Sequence, residues 1–309
     1  MSPKEIMVPA ELAGARLDKV IAQLVLGASR ARVKAAIVEG KVRVNGRRSP
    51  KGATVVEGDR ITLVIEEVSK GDAPATPEPD APLLVLHTSS SVLVVDKPAR
   101  QPSAPIRAGE IGTLANALVG RYPELAGVGY SAREPGLLHR LDTDTSGLVV
   151  VARTAAAFEA LKQALKGEAL VKEYLLVCRG EGLPDEGTIA FPLTNHPKDQ
   201  RRVYPCAHPR DVIRYAPRPA STAYRVLRRS GVFALVEATV SRALRHQIRA
   251  HFSAILHPLV GDELYGGEAV PGLSRHALHA SRVAHQTVDR DLVFDVSSPL
   301  PAELAFLVP

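Results

Sequence analysis

The segment 69–82, SKGDAPATPEPDAP, sets the first limit on how this chain folds. It holds four prolines, several small or acidic residues and no large apolar side chain. Such a run has nothing to bury, so a semi-extended linker is expected. It divides the 309 residues into a small N-terminal domain, 1–68, and a C-terminal domain, 83–309, large enough for its own core. No apolar run is long enough to span a bilayer, and no charged-then-apolar leader opens the chain. Cys178 and Cys206 are too few for a disulfide framework, and free thiols fit a reducing cytoplasm. The expected setting is cytoplasmic, without membrane contact.

The formal net charge is +6 and favours a polyanionic partner. Residues 1–68 carry twelve Lys and Arg against eight Asp and Glu, so most of the excess lies there. Aromatic residues make up only 4% and Trp is absent, which argues against a broad base-stacking platform. In this first domain Leu17, Val20, Ile21 and Leu24 recur at helical spacing. Ser29 is placed to cap a second helix with Val33, Ala36 and Ile37 inward. A strand over 42–44 runs into an Asn45-Gly46 turn, and residues 59–65 alternate as a strand. Arg30, Arg32, Lys34, Arg43, Arg47 and Arg48 cluster on the second helix and the turn. The words RLDKVIAQL, SRARVKAAIVEGKVRVNG and VVEGDRITL, in that order, resemble the α-L RNA-binding domain of the ribosomal-protein-S-four type. The resemblance implies that those six basic residues contact RNA phosphates, in a salt-sensitive way largely blind to sequence. A solvated charged face is the competing reading.

The C-terminal domain mixes periods. Strands are expected at 83–86, 92–95, 173–178, 222–227 and 233–240. Helices are expected at 113–122, at 154–166 with Thr154 as cap, and at 245–256. Many strands with few intervening helices predict an α+β fold around a mixed, mainly antiparallel sheet. The most polar turn is His139-Arg140-Leu141-Asp142-Thr143-Asp144-Thr145-Ser146-Gly147, followed at once by the apolar run Leu148–Val151. A polar loop held by a buried strand is a common seat for catalytic groups.

That turn resembles the signature loop of the RluA-type RNA pseudouridine synthases. Further segments match in order: Lys172-Glu173-Tyr174 (K-x-Y), His246–His251 (HQIRxH), His257–Asp262 with Leu264-Tyr265-Gly266 (HPxxGDxxYG), and Leu278-His279-Ala280 (LHA). The resemblance implies an isomerase. The bond from ribose C1′ to uracil N1 breaks, the base turns while held, and it rejoins through C5. This chemistry involves neither redox nor phosphoryl transfer, so no cofactor and no metal is called for. It implies Asp142 as the catalytic carboxylate, as nucleophile or as electrostatic and general-base partner. It further implies Arg249 as the ion partner of Asp142, and Tyr174 as the group that stacks on the base and relays a proton. Arg140 would fill the gap left by a flipped uridine, and Arg245 would add to the RNA contact. The implied partner is RNA, ribosomal RNA of the large subunit first and tRNA second, met by the protein as a monomer.

Two departures from the family wording stand out. Leu244 occupies the place of the arginine in G-R-T-H-Q, leaving Arg242, Arg245 and Arg249 at i, i+3 and i+7 as a basic stripe if the helix starts early. Arg100 stands where V-x-K-P-x-G has glycine. Rival readings are a catalytically silent RNA-binding protein, a metal site built on pairs such as His246 and His251, and a glycoside hydrolase using Asp142 with Asp144. The metal reading lacks a four-ligand set, and alternate positions of one loop do not give opposed carboxylates.

Overall fold

A computed structural model of the chain describes residues 3–25, 28, 30–64, 73–241 and 243–309, excluding the side chains of Arg30 and Ala31. The chain forms two compact units. The first comprises Met1–Ala75 with Ile106–Gly109 and Ser131–Arg133; the second comprises the remainder.

In the first unit, strand β1 (Lys4–Met7) precedes helices α1 (Leu17–Leu24) and α2 (Arg30–Val38), and then come β2 (Arg43–Val44), β3 (Arg47–Arg48) and β4 (Arg60–Leu63). The strands form an antiparallel sheet in the order β1-β4-β2-β3. The helical stripes meet in one core: Leu17, Val20 and Ile21 of α1 and Val33, Ala36 and Ile37 of α2 pack with Val42 and Ile61. Asn45 and Gly46 both have positive φ, 49° and 78°, as the tight turn between β2 and β3 requires. Asn45 is further fixed by a 2.7 Å bond from its Nδ2 to Asp59 Oδ1. Sequence reading passed over β1. The capping role expected of Ser29 and the end of the 59–65 strand fall outside the described residues.

The expected 69–82 linker is corrected in its second half. Ala75 is buried, and its N–H bonds Ala132 O at 3.1 Å within the first unit. From Thr76 the chain is fastened to the second unit. Thr76 O accepts from Asn116 Nδ2 (2.7 Å), and the Glu78 N–H donates to Asn116 O (3.0 Å). Proline removes ladder donors but leaves carbonyls, and here the buried Asn116 satisfies one of the segment's acceptors.

The second unit is a nine-stranded sheet in the order β5-β6-β7-β14-β8-β13-β12-β9, with β15 beside β14. Its strands are β5 (Leu84–Thr88), β6 (Val92–Lys97), β7 (Ser146–Ala152), β8 (Leu170–Arg179), β9 (Glu186–Ile189), β12 (Thr222–Ser230), β13 (Phe233–Thr239), β14 (Leu278–His285) and β15 (Phe294–Ser297). Every pairing is antiparallel except β7 with β14. Helix α3 (Leu114–Arg121) opens on a Thr113/Asn116 capping box. Helix α4 (Ala155–Lys166) is capped by Thr154 and packs Phe158 and Leu161 onto Leu148 and Val150 of β7. A short hairpin, β10 (Leu193–Asn195) with β11 (Val203–Pro205), and helix α5 (Pro209–Tyr215) lie between β9 and β12. Helices α6 (Gln247–Ala254) and α7 (Ala302–Ala305) complete the unit.

Candidate active site

Strand β7 is buried along all seven residues, and the loop 139–145 that feeds it inherits that rigidity. Four consecutive carbonyls of the loop are held. Ser103 Oγ donates to Leu141 O (2.7 Å), Thr145 N–H to Asp142 O (3.1 Å), Lys97 Nζ to Thr143 O (3.1 Å) and Arg275 Nη1 to Asp144 O (3.1 Å). Thr145 Oγ1 lies 2.7 Å from His276 Nε2. The Asp142 side chain therefore leaves a backbone with little freedom.

Arg249, on α6, faces two carboxylates. Its Nε and Nη2 grip Asp262 at 2.7 and 2.8 Å, while Nη1 donates to Asp142 Oδ2 at 2.9 Å. Arg249 and Asp262 are both buried; Asp142 keeps 24% of its side chain exposed. The Arg249 guanidinium also lies 5.1 Å from the centroid of the Tyr265 ring. Burial pushes the Asp142 carboxyl up, but His246, at 3.7 Å, and Arg249 outweigh it and hold the group below its ordinary value. Burial in turn lowers His246, so near neutral pH the guanidinium is the cation that faces Asp142.

Tyr174 of β8 is buried and lines the same cleft. Burial and the Asp142 charge raise its hydroxyl well above the usual tyrosine range, so it stays protonated at neutral pH. The cleft, about 390 Å³ including its open mouth, is walled by Leu141, Leu244, Ile248 and Leu278 around Asp142, Tyr174 and Arg249. This is an apolar slot with one carboxylate, one phenol and one fixed cation at its floor. A second hollow, also bordered by Asp142 and Arg249, is lined by Thr143, Asp144, Arg201, Arg275 and His276.

The fold thus brings Asp142, Tyr174, Arg249 and Arg140 together. Arg140 stands on the rim, 64% exposed, with a 2.8 Å bond to Glu134. Arg245 sits elsewhere than expected. His246 takes a left-handed φ of 53°, so α6 starts only at Gln247 and Arg245 lies before it. Its guanidinium donates to Gln200 O (2.7 Å) and Arg202 O (3.2 Å), tying down the tip of the β10–β11 hairpin. Arg242 lies outside the described residues, and the i, i+3, i+7 stripe does not run along one helix. Leu244 packs with Leu193, Val203, Ala250 and Tyr265, which accounts for an apolar residue there. Arg100 has φ +65°, the conformation that suits the glycine of the family wording, and its guanidinium bonds Ser274.

In the first unit Arg32, Arg43, Arg47 and Arg48 are exposed. Lys34 is half-buried, 3.8 Å from the buried Asp18. The side chain of Arg30 lies outside the described residues. His246 and His251 do not converge as metal ligands. His246 Nδ1 meets Tyr265 Oη (3.0 Å), and His251 bonds Thr222 and Phe191. Among the described residues no cluster of His, Cys, Asp or Glu could hold a metal ion.

Sequence reading gave no role to Asp262, although it stands in the quoted HPxxGDxxYG wording; a carboxylate in a tight Gly-Asp turn was the available signal. It gave no role either to Lys97, the lysine of the V-x-K-P-x-G wording, or to Arg275, because the loop carbonyls they hold are 46 and 131 residues away.

Residues 91–254 match the RNA pseudouridylate synthase family. The chain belongs to that family. Residues 15–61 match the S4 domain. Ribosomal large subunit pseudouridine synthase D of Yersinia pestis is 32% identical over 96% of this chain and 90% of its own length. The protein of the same name from Xanthomonas campestris pv. campestris is 33% identical over 99% of this chain and 92% of its own length. Among solved structures, human RNA Pseudouridylate Synthase Domain Containing 1 superposes with a TM-score of 0.55 at 26% identity, covering 72% of this chain and 85% of that one. As an RNA pseudouridylate synthase, the chain is an isomerase with an S4 domain at its N-terminus. No helix among the described residues is long and apolar enough to cross a membrane.

Proposed function

We propose that this pseudouridine synthase isomerises uridines of large-subunit ribosomal RNA, with Asp142 as the carboxylate that meets ribose C1′. The observation that carries the assignment is the Asp142–Arg249–Asp262 arrangement at the floor of an apolar slot. Cleaving the C1′–N1 bond develops positive character on the sugar, which an ionised, oriented carboxylate stabilises or captures. Arg249 keeps Asp142 ionised and aimed, and Asp262 keeps Arg249 in place. Tyr174 stacks on the freed uracil. Its protonated hydroxyl serves the relay that ends with loss of the C5 proton. Arg140, exposed on the rim, fills the space vacated by the flipped nucleotide. Arg30, Arg32, Lys34, Arg43, Arg47 and Arg48 of the S4 domain hold the flanking RNA backbone. Arg245 contributes indirectly, by tethering the hairpin. The protein acts as a monomer in the cytoplasm. The ribosomal assignment is supported by the names of relatives that match over nearly the whole chain.

The test is pseudouridine mapping of total RNA by carbodiimide labelling and primer extension, in cells with and without the gene. We expect large-subunit sites to vanish on deletion and to return with the wild type and not with Asp142→Ala. Sites vanishing from tRNA instead would move the substrate. An unchanged map would favour an RNA-binding protein without catalysis.

A further inference from the structure

Among the described residues that line the cleft, His246 alone, glycines apart, has a left-handed backbone, with φ +53°. Side chains other than glycine rarely adopt this conformation, and at a site it calls for an account of what the side chain does. The His246 carbonyl opens α6 by accepting from the Ala250 N–H at 2.9 Å. Its ring meets two partners of different kinds. Nδ1 lies 3.0 Å from Tyr265 Oη, and Nε2 lies 3.7 Å from Asp142 Oδ2. The second distance is longer than a hydrogen bond, as such contacts often are before substrate closes the site.

Counting protons along this line fixes the state of the ring. Tyr265 is buried, and burial raises its hydroxyl, so it keeps its proton at neutral pH. The Val203 N–H donates to that oxygen at 2.8 Å. A backbone N–H only donates, so the phenol proton needs an acceptor elsewhere, and among the described residues His246 Nδ1 is the one it meets. Burial lowers the His246 pKa, so the ring is neutral near pH 7 and carries a single N–H. The charges around it oppose one another: Asp142 and Asp262 favour the imidazolium, while Arg249 and Arg245 disfavour it. With Nδ1 accepting, the N–H is on Nε2, the nitrogen that faces Asp142. The reverse tautomer would leave a buried phenol proton without an acceptor and turn a nitrogen lone pair toward a carboxylate. Both ends of the ring therefore select the same tautomer.

Arg249 Nη1 reaches the same carboxylate oxygen, Oδ2, at 2.9 Å, and Oδ1 accepts no hydrogen bond among the described residues. We propose that His246 is a positioning residue for Asp142: held by the Tyr265 hydroxyl as its Nε2–H tautomer, it presents that N–H to Oδ2 and, with Arg249, leaves Oδ1 as the oxygen that meets the ribose. Two donors on one oxygen restrict the turn of the carboxylate about its Cβ–Cγ bond, which one donor does not. His246 touches no reacting atom and transfers no proton. The proposal rests on the reading of Asp142 as the carboxylate that meets C1′.

The experiment uses the full chain. Nitrogen NMR of isotope-labelled histidines at neutral pH reads the tautomer, the His246 signals being those lost in His246→Asn. We expect the proton on Nε2; a proton on Nδ1 would overturn the proposal whatever the kinetics. Steady-state kinetics on a ribosomal RNA fragment that the wild type modifies then separate the two ends of the ring. Asn tolerates the left-handed backbone and puts its amide oxygen near the place of Nδ1, so His246→Asn keeps the Tyr265 bond without reaching Asp142. Gln carries an amide N–H to the place of Nε2. We expect His246→Asn to lower kcat about tenfold with KM within about twofold, and His246→Gln to keep kcat within about threefold of the wild type. The acid limb of kcat/KM should move up in His246→Asn and stay in place in His246→Gln. Tyr265→Phe keeps the ring beside Arg249 but removes the hydroxyl, so it should show a mixture of tautomers and a lowered kcat. A ring needed only to hold Tyr265 and the hairpin would give the reverse order, Asn active and Gln impaired, and that order would overturn the proposal. So would wild-type turnover in all three variants. Should the His246 variants fail to fold, the wild-type tautomer and its release in Tyr265→Phe decide. Undiminished turnover by Asp142→Asn would instead sink the reading of the cleft, and the tautomer result would stand apart from it.

Discussion

At the scale of single residues, the site turns on one guanidinium divided between two acids. Asp262 takes two of its nitrogens and leaves Nη1 for Asp142. Arg249→Met removes the main neutral-pH cation and leaves burial to act on Asp142. The carboxyl pKa should then rise. The acid limb of kcat/KM should move up accordingly, and turnover at pH 7 should fall at least about 100-fold, that is by about 3 kcal/mol of transition-state stabilisation. A pH–rate profile of the variant checks this; an unmoved limb would remove Arg249 from the role. Asp262→Asn leaves Arg249 half-compensated in a buried place and should cost about 3 kcal/mol of stability in urea melts. His276 gives a pH dependence with a definite sign. Burial, reinforced by Arg249, lowers it to about 4. Between the ordinary histidine value and pH 4 the unfolded chain holds a proton that the folded chain does not. Stability present above pH 6.5 is therefore lost on acidification, by about 1.4 kcal/mol per pH unit from this residue. His276→Gln should remove that share of the slope when melts at pH 7 and pH 5 are compared.

At the scale of elements, the loop bearing Asp142 is placed by a close meeting of two strands. Gly147 has φ +111°, and a Cβ there would stand 2.2 Å from Ala280 O on β14. Gly147→Ala must push β7 and β14 apart at their parallel pairing, His279 with Ser146 and Ala280 with Gly147. We expect a loss of about 3 kcal/mol or more and no product from the protein that still folds, read by thermal melts and a tritium-release assay. Much of this layer was legible in sequence. The helix at 154–166 announced itself by Thr154 and the stripe of Phe158, Leu161 and Leu165, and it folds from Ala155 to Lys166. The strand pairs at 83–95 and 222–240 lie where alternation put them. The start of α6 was not legible, because it is set by a left-handed His246 whose ring is held by Tyr265, nineteen residues on. The β10–β11 hairpin also escaped notice. Its strands are three residues each, too short for a period, and its place is fixed by Arg245 and by the Val203 N–H bond to Tyr265 Oη.

At the scale of the whole molecule, the proposed function puts chemistry and grip in separate units with separate signatures. The S4 domain was readable because its helix stripes, its Asn45-Gly46 turn and its charges are all local features. The candidate site was readable as a set of residue types, but not as a geometry, since Asp142 and Arg249 are 107 residues apart and only the folded second unit joins them. The separation predicts how the two units fail. Arg43, Arg47 and Arg48 are exposed on the β2–β3 hairpin of the first unit. Exposed charges of this kind add little to stability, so Arg43→Gln, Arg47→Gln and Arg48→Gln together should leave the melting temperature within a few degrees. Each arginine that no longer neutralises a phosphate should flatten the salt dependence of RNA binding by about 0.7–0.9, so the triple variant should bind with a slope shallower by about two. KM should rise while kcat at saturating RNA stays near that of the wild type, since nothing at the floor of the slot has changed. Asp142→Asn should behave in the opposite way, with the slope intact and turnover gone. If the triple variant instead lowered kcat with KM unmoved, the S4 domain would be shaping the reaction itself, and the division of labour argued from its charges would be wrong.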